Sequence, residues 1–187
     1  MADLEVVVAG GGNAALCAAI TAREKGAAVT LFESAPENMR GGNTRHTRNL
    51  RASHAEPLET LEDSYTEDEF WDDILKVTHG NTDETLTRLM IRQSPLLLSW
   101  LKARDVHFQP ALSGTLSLHR TNAFFLGGGK TLLNKLYSHA EKIGVSVIYD
   151  SEVTSVSISN NRAHSIDVTT ANDTKTYGIK HLIAASG

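Results

Sequence analysis

In Val6-Val7-Val8-Ala9-Gly10-Gly11-Gly12-Asn13-Ala14-Ala15, three glycines stand where an apolar run ends and an alanine-rich run begins. Gly10, Gly12 and Ala15 have the spacing G-x-G-x-x-A. At a strand-to-helix junction the first glycine permits a tight turn, and the second lets backbone approach a diphosphate. The alanine lets helix and strand pack closely. The N–H groups at the helix start, around Asn13 and Ala14, and the positive end of the helix dipole suit an anion. Glu33 closes the next apolar run, with Ser34 beside it, where a carboxylate accepts hydrogen bonds from adenosine ribose hydroxyls. An acid there disfavours a 2′-phosphate, so NADP fits least. These residues point to a dinucleotide and leave NAD and FAD both open.

The elements that must position this turn follow from patterning. Leu4–Ala9 is apolar on both faces, as a buried parallel strand requires. Residues 13–25 read as a helix stopped by Gly26, and 27–33 as a second strand, completing a βαβ unit. Later, 127–144 reads as a glycine-led helix and 145–150 as a strand. Glu152–Ile158, Arg162–Thr170 and Lys175–Lys180 read as a three-stranded antiparallel meander. His181–Gly187 reads as a separate apolar strand running into the Ala185-Ser186-Gly187 turn. The expected fold is a doubly wound, Rossmann-like α/β domain with strand order 145–150, 28–33, 4–9, 179–185 and a meander at about 152–180.

A helical insertion is expected at about 56–105. Residues 38–55 carry arginines and no acid, whereas 56–84 are acidic with Lys76 the only Lys or Arg. Thr66 and Glu69 fit a capping box, followed by an apolar stripe of Phe70, Trp71, Ile74 and Leu75. A second helix is expected from Asp83, with Leu86, Leu89 and Met90 inward. A third is expected from Ser94-Pro95, serine capping and proline taking the first position.

Composition excludes several classes. The 187 residues carry 18 basic and 22 acidic side chains, a net charge of −4, with no bias toward nucleic acid or membrane surfaces. Cys17 is the single cysteine, expected in the core; an internal disulfide is excluded, which fits a reducing compartment. The first residues lack signal-peptide features, and no apolar run approaches the roughly 20 residues of a membrane span. A cytoplasmic protein is expected. The histidines show no ligand spacing, so no metal site is expected. Gly-Gly-Gly-Lys-Thr at 127–131 is not an NTPase phosphate loop, because Phe124 stands where G-x-x-x-x-G-K-[ST] needs its first glycine.

The string RGGNTRHTRNLR at 40–51 resembles the flavoprotein subunits of fumarate reductases and succinate dehydrogenases, soluble members included. With SLHRTNAFFLGGGKTLLN at 117–134, it is most similar to the tricarballylate-oxidising branch of that family, and the likeness runs over essentially the whole chain. The resemblance implies noncovalent FAD, with Gly41, Gly42, Asn43 and Thr44 near the ribityl chain and ring. It implies Gly127, Gly128 and Gly129 near the flavin, the Val153 backbone facing adenine, and Ala185, Ser186 and Gly187 closing round the cofactor. Ser186 stands where the family usually has threonine. His46 lies one place later than the histidine that carries covalent flavin in membrane-bound relatives, so no covalent link is expected.

The resemblance also implies dehydrogenation of a di- or tricarboxylic acid, of the tricarballylate to cis-aconitate type, and a partner that reoxidises the flavin. Catalytic residues are expected in a capping domain beyond Gly187, leaving this stretch as the cofactor half with little turnover alone. Arg45 and Arg48 allow either contact with substrate carboxylates, which guanidinium forks suit, or a surface role answering the acidic helices. Arg51 reads as a surface partner of the acidic helices. His119 and Arg120 allow either a substrate-facing or a structural role. The alternatives are a fumarate reductase-type flavoprotein, a non-catalytic nucleotide-binding module and an NAD-dependent Rossmann enzyme.

Overall fold

The computed structural model describes residues 3–111 and 118–187; Ser117, which begins the second long string, lies outside them. The elements run β1 Leu4–Ala9, α1 Asn13–Glu24, β2 Val29–Phe32, β3 Asn49–Arg51, α2 Glu67–Thr78 and α3 Glu84–Lys102. They continue with β4 Asn122–Phe124, α4 Gly128–Lys142, β5 Ser146–Ile148, β6 Glu152–Ser159, β7 Arg162–Thr169 and β8 Thr174–Ala184. The chain divides into two compact units. One joins the residues up to His46 with Leu133–Gly187; the other is Thr47–Leu132.

The first unit holds a six-stranded sheet in the order β5-β2-β1-β8-β7-β6. Strands β5, β2, β1 and β8 pair in parallel, and β8, β7 and β6 antiparallel. The valine run supplies the centre: Val7 and Val8 point to opposite faces and are both fully buried. Val7, Phe32, Ile166, Val168 and Ile179 form one apolar cluster, so meander and parallel strands share a core. This is the doubly wound α/β architecture.

One expectation is corrected here. The third meander strand and the final apolar strand are a single strand, β8. Its first half, Thr174–Gly178, pairs with β7, and its second half, from Ile179, pairs with β1. The polar pair Lys180-His181 interrupts the apolar pattern, which makes the sequence look like two strands. Cys17 is half-buried rather than in the core.

In the second unit α2 begins at the Thr66–Glu69 capping box, and Tyr65, Phe70 and Ile91 form a buried cluster edged by Trp71 and Ile74. The two helices expected from Asp83 and Ser94 are one, α3, with Pro95 inside it. Proline has no N–H for the carbonyl of Ile91, four residues back. That carbonyl instead accepts the hydroxyls of Ser94 at 2.7 Å and Ser53 at 3.2 Å. The side chains fill the gap, so the helix continues. Its buried row is Ile91, Ser94, Leu98 and Leu101, and Leu86, Leu89 and Met90, expected inward, are exposed. Among the described residues no helix is long and apolar enough to cross a membrane.

Candidate functional site

A cleft of about 690 Å³ opens in the first unit where β1, β2 and β8 end, the edge at which open α/β sheets bind ligands. It is lined by Ala9 to Ala14, Phe32 to Ser34, Gly41 to Thr44, Ser151 to Val153 and Ala185 to Gly187. Four stretches distant in sequence therefore meet there around the glycine turn.

The turn is built by close approach. Gly10 has φ +114°, and a Cβ on it would lie 2.3 Å from the carbonyl oxygen of Ala185, so only glycine fits. Its N–H donates to Phe32 O at 2.8 Å, and Ala185 N–H donates to Ala9 O at 2.9 Å, which ties the three strand ends together. Gly12 differs. Its φ of −75° and ψ of −174° are ordinary extended backbone. A Cβ there would meet nothing in the protein closer than Thr44 Oγ1 at 3.6 Å. The fold does not require that glycine; bare backbone facing the cleft is what a diphosphate requires. No side chain caps α1. The amide of Asn13 is engaged, however, donating to Thr44 Oγ1 at 3.0 Å. Asn13 thus ties the 41–44 loop to α1 instead of offering its N–H to an anion.

Glu33 is buried, at 6% exposure. Its Oε1 accepts the Ala35 N–H at 2.9 Å and its Oε2 the Gly41 N–H at 3.1 Å. Each oxygen also meets a hydroxyl at 3.4 Å, Oε1 that of Ser34 and Oε2 that of Tyr137; a ribose hydroxyl would have to share or displace these longer contacts. The acid is thus an internal tie as well as part of the cleft wall. Next to it, Arg40 lays its guanidinium 4.2 Å over the Tyr137 ring and donates to the Tyr149 hydroxyl at 2.5 Å. Burial, and then the Glu33 carboxylate, push the Tyr137 phenol well above its ordinary pKa; it stays a protonated donor at physiological pH.

Of the residues expected at the site, Gly10, Gly12, Asn13, Ala14, Glu33, Ser34, Gly41, Gly42, Asn43, Thr44, Val153, Ala185, Ser186 and Gly187 line this cleft. Ala15 does not; it is fully buried, where it lets α1 pack closely. Gly127, Gly128 and Gly129 lie in the second unit, where the Gly128 N–H donates to Phe125 O and the Gly129 N–H to Thr47 O. Arg45 donates one Nη to the carbonyls of Asn38 and Arg40, closing its own loop. Arg48, in the second unit, takes the Phe125 N–H on its carbonyl, and Arg51 pairs with Asp73 of α2. Arg120 pairs with Glu69 and Asp63. His119 is buried against Phe124, with no hydrogen-bond partner for Nε2 among the described residues. Gly11, Ser151 and Glu152 line the cleft without having been expected there. The sequence signals were a third glycine beyond the motif's need and, for Ser151 and Glu152, a place just after a parallel strand's C-terminal end.

Comparison with known proteins agrees with this geometry. The family model described as FAD binding domain matches residues 5–187. The chain is 28% identical over 192 aligned residues to the NADH:fumarate oxidoreductase of Klebsiella pneumoniae (strain 342), covering 98% of this chain and 20% of that protein. Its fold is similar to 3-ketosteroid-delta4-(5alpha)-dehydrogenase from Rhodococcus jostii RHA1, with TM-score 0.81, 20% identity, and 100% of this chain covering 47% of that one. It is also similar to the FrdA chain of E. coli quinol fumarate reductase, with TM-score 0.78, 13% identity, and 99% of this chain covering 32% of that one. The chain therefore spans about a fifth of the curated relative and less than half of either structure.

Proposed function

From the premise that the chain belongs to the FAD binding domain family, we propose that it is the cofactor-holding part of an oxidoreductase acting on a small di- or tricarboxylic acid. One observation carries the cofactor half of this reading: Gly12 is a glycine that the protein's own packing does not need, on a cleft wall at the strand ends. The Gly10–Ala14 turn would take the diphosphate, Glu33 and Ser34 the adenosine ribose, and the Val153 backbone the adenine. Gly41 to Thr44 would run toward the ribityl chain and ring, and Ala185 to Gly187 would close the turn. When bound, FAD supplies a two-electron acceptor for hydride; the protein orients it and excludes water. The family match sets aside the NAD alternative.

The substrate class rests on the two long strings that resemble tricarballylate-oxidising enzymes, so oxidation of tricarballylate to cis-aconitate is the proposed reaction, with a separate partner reoxidising the flavin. Arg45 is the proposed contact to a substrate carboxylate; it retains guanidinium N–H groups beyond the one closing its loop. A second reading, reduction of fumarate, is favoured by the likeness to the NADH:fumarate oxidoreductase.

Purified protein mixed with FAD and passed through a desalting column is expected to emerge yellow; colourless protein refutes the cofactor half. The flavin-loaded protein is then given tricarballylate, succinate or a 3-ketosteroid without oxygen. A perturbed flavin spectrum with tricarballylate and little or no bleaching supports the proposal; rapid bleaching by tricarballylate overturns the reading of this stretch as the cofactor half alone. Bleaching by the steroid alone overturns the carboxylate reading.

A further inference from the structure

The middle glycine of the turn has no role in the G-x-G-x-x-A spacing, yet it is the most enclosed of the three. A Cβ on Gly11 would lie 2.1 Å from the Tyr137 hydroxyl and 2.2 Å from Glu33 Oε2. Tyr137, on α4, is fully buried; its hydroxyl donates to the Gly11 carbonyl at 2.8 Å, the shorter of its two contacts, the other being to Glu33 Oε2 at 3.4 Å. A trans peptide is planar, with its C=O and N–H directed to opposite sides. The Gly11 carbonyl and the Gly12 N–H belong to one such peptide. Holding the carbonyl toward Tyr137 therefore turns the Gly12 N–H the other way. A peptide between two glycines has little steric resistance to inversion, and inverted it would turn a carbonyl oxygen toward an anion.

The geometry points to Tyr137 as a positioning residue for the diphosphate. Its hydroxyl anchors the Gly11–Gly12 peptide with the N–H facing the cleft, and the absence of a Cβ on Gly11 is what lets the phenol reach. This rests on the FAD reading above; Tyr137 acts through the peptide, without touching the cofactor.

The test uses Tyr137→Phe, which keeps the ring beneath Arg40 and removes only the hydroxyl. Tyr65→Phe serves as control, because it removes another buried hydroxyl, bonded to Asp73 in the second unit. Affinities for FAD, ADP and adenosine are measured by flavin fluorescence and competition. Tyr137→Phe is expected to weaken FAD and ADP by the same factor, about 3- to 10-fold, the worth of one hydrogen bond. Adenosine, lacking the diphosphate, is expected to bind unchanged, and Tyr65→Phe to bind all three as the unaltered protein does. Unchanged FAD affinity in Tyr137→Phe, or an equal loss for adenosine, overturns the inference. Should Tyr137→Phe fail to fold, the unaltered ¹⁵N-labelled protein decides. The Gly12 amide resonance must move on saturation with ADP and not with adenosine, and a resonance still in place with ADP overturns it. Unaltered protein that binds neither FAD nor ADP instead overturns the proposed function, and this inference falls with it.

Discussion

Glu33→Gln separates the structural role of one carboxylate from the role proposed for it at the ribose. A carboxylate only accepts, and here each oxygen faces a backbone N–H, from Ala35 on one side and Gly41 on the other. A glutamine amide has one oxygen and one NH₂. Whichever way it turns, a donor meets a donor in a buried site. One charge-assisted bond, about 1.5–3 kcal/mol, is lost, and a buried N–H is left unsatisfied at about 1–3 kcal/mol. These costs overlap, since both arise at the same N–H, so about 2–4 kcal/mol of stability should go. For a protein of this size that is a fall in melting temperature of about 5–15 °C. The assay is thermal unfolding of cofactor-free protein followed by circular dichroism, beside a flavin titration. Weakened FAD binding with an unchanged apo melting temperature would refute the reasoning, because the carboxylate would then serve the cofactor alone. The pair of measurements also decides how a Glu33→Ala result is to be understood: lost flavin together with lost stability reports a loosened 41–44 loop as well as a missing ribose contact.

Other consequences follow from the same contacts. Gly12→Ala should leave the cofactor-free protein as stable as before, or about 0.4–1 kcal/mol more so, while FAD affinity falls. Gly10→Ala, with φ +114° and the Ala185 carbonyl 2.3 Å from the new Cβ, should lower the melting temperature; equal behaviour of the two variants would refute the distinction. Ser94→Ala removes the acceptor of the Ser53 N–H and one of the donors to Ile91 O, so a loss of about 1–3 kcal/mol is expected in denaturant unfolding, and no loss would mean the carbonyl freed by Pro95 needs no partner. Burial, and then the hydrogen bond to Asp73, push the Tyr65 pKa from 10.0 to about 12. The folded protein thus keeps a proton that the unfolded chain releases, and this stabilisation is full below pH 10 and lost as pH rises toward 12. A phenolate absorbance titration should show a late step near pH 12 that Tyr65→Phe removes; a step that survives the substitution contradicts the assignment.

Much of this was legible in the sequence because the signals were local. The valine run, the glycine turn and Gly26 report a βαβ unit within a short window, which places β1 beside β2. The capping box of α2 was equally local. What misled were residues whose meaning depends on distant partners. Ser94-Pro95 reads as a helix start because proline lacks an N–H; the Ser94 hydroxyl, joined by that of Ser53 from a distant segment, meets the vacated carbonyl and lets the helix continue. Leu86, Leu89 and Met90 looked inward because they recur at helical spacing; once the helix extends to Lys102, the buried row is set by Ile91, Ser94, Leu98 and Leu101.

The same distinction governs the glycines. Gly10 is fixed by the approach of Ala185, and Gly11 by a phenol and a carboxylate from two other segments, so both would be needed if no cofactor ever bound. Gly12 alone of the three is under no such packing constraint, as the proposed diphosphate site would require. A fingerprint read as one functional unit therefore divides into two residues that assemble the turn and one that leaves it bare. The binding surface is correspondingly a tertiary product: Thr44 holds α1 through Asn13, Glu33 holds Gly41, and Tyr137 holds Gly11. Cofactor affinity should accordingly respond to substitutions at Thr44 and Tyr137, outside the motif, as strongly as to several within it.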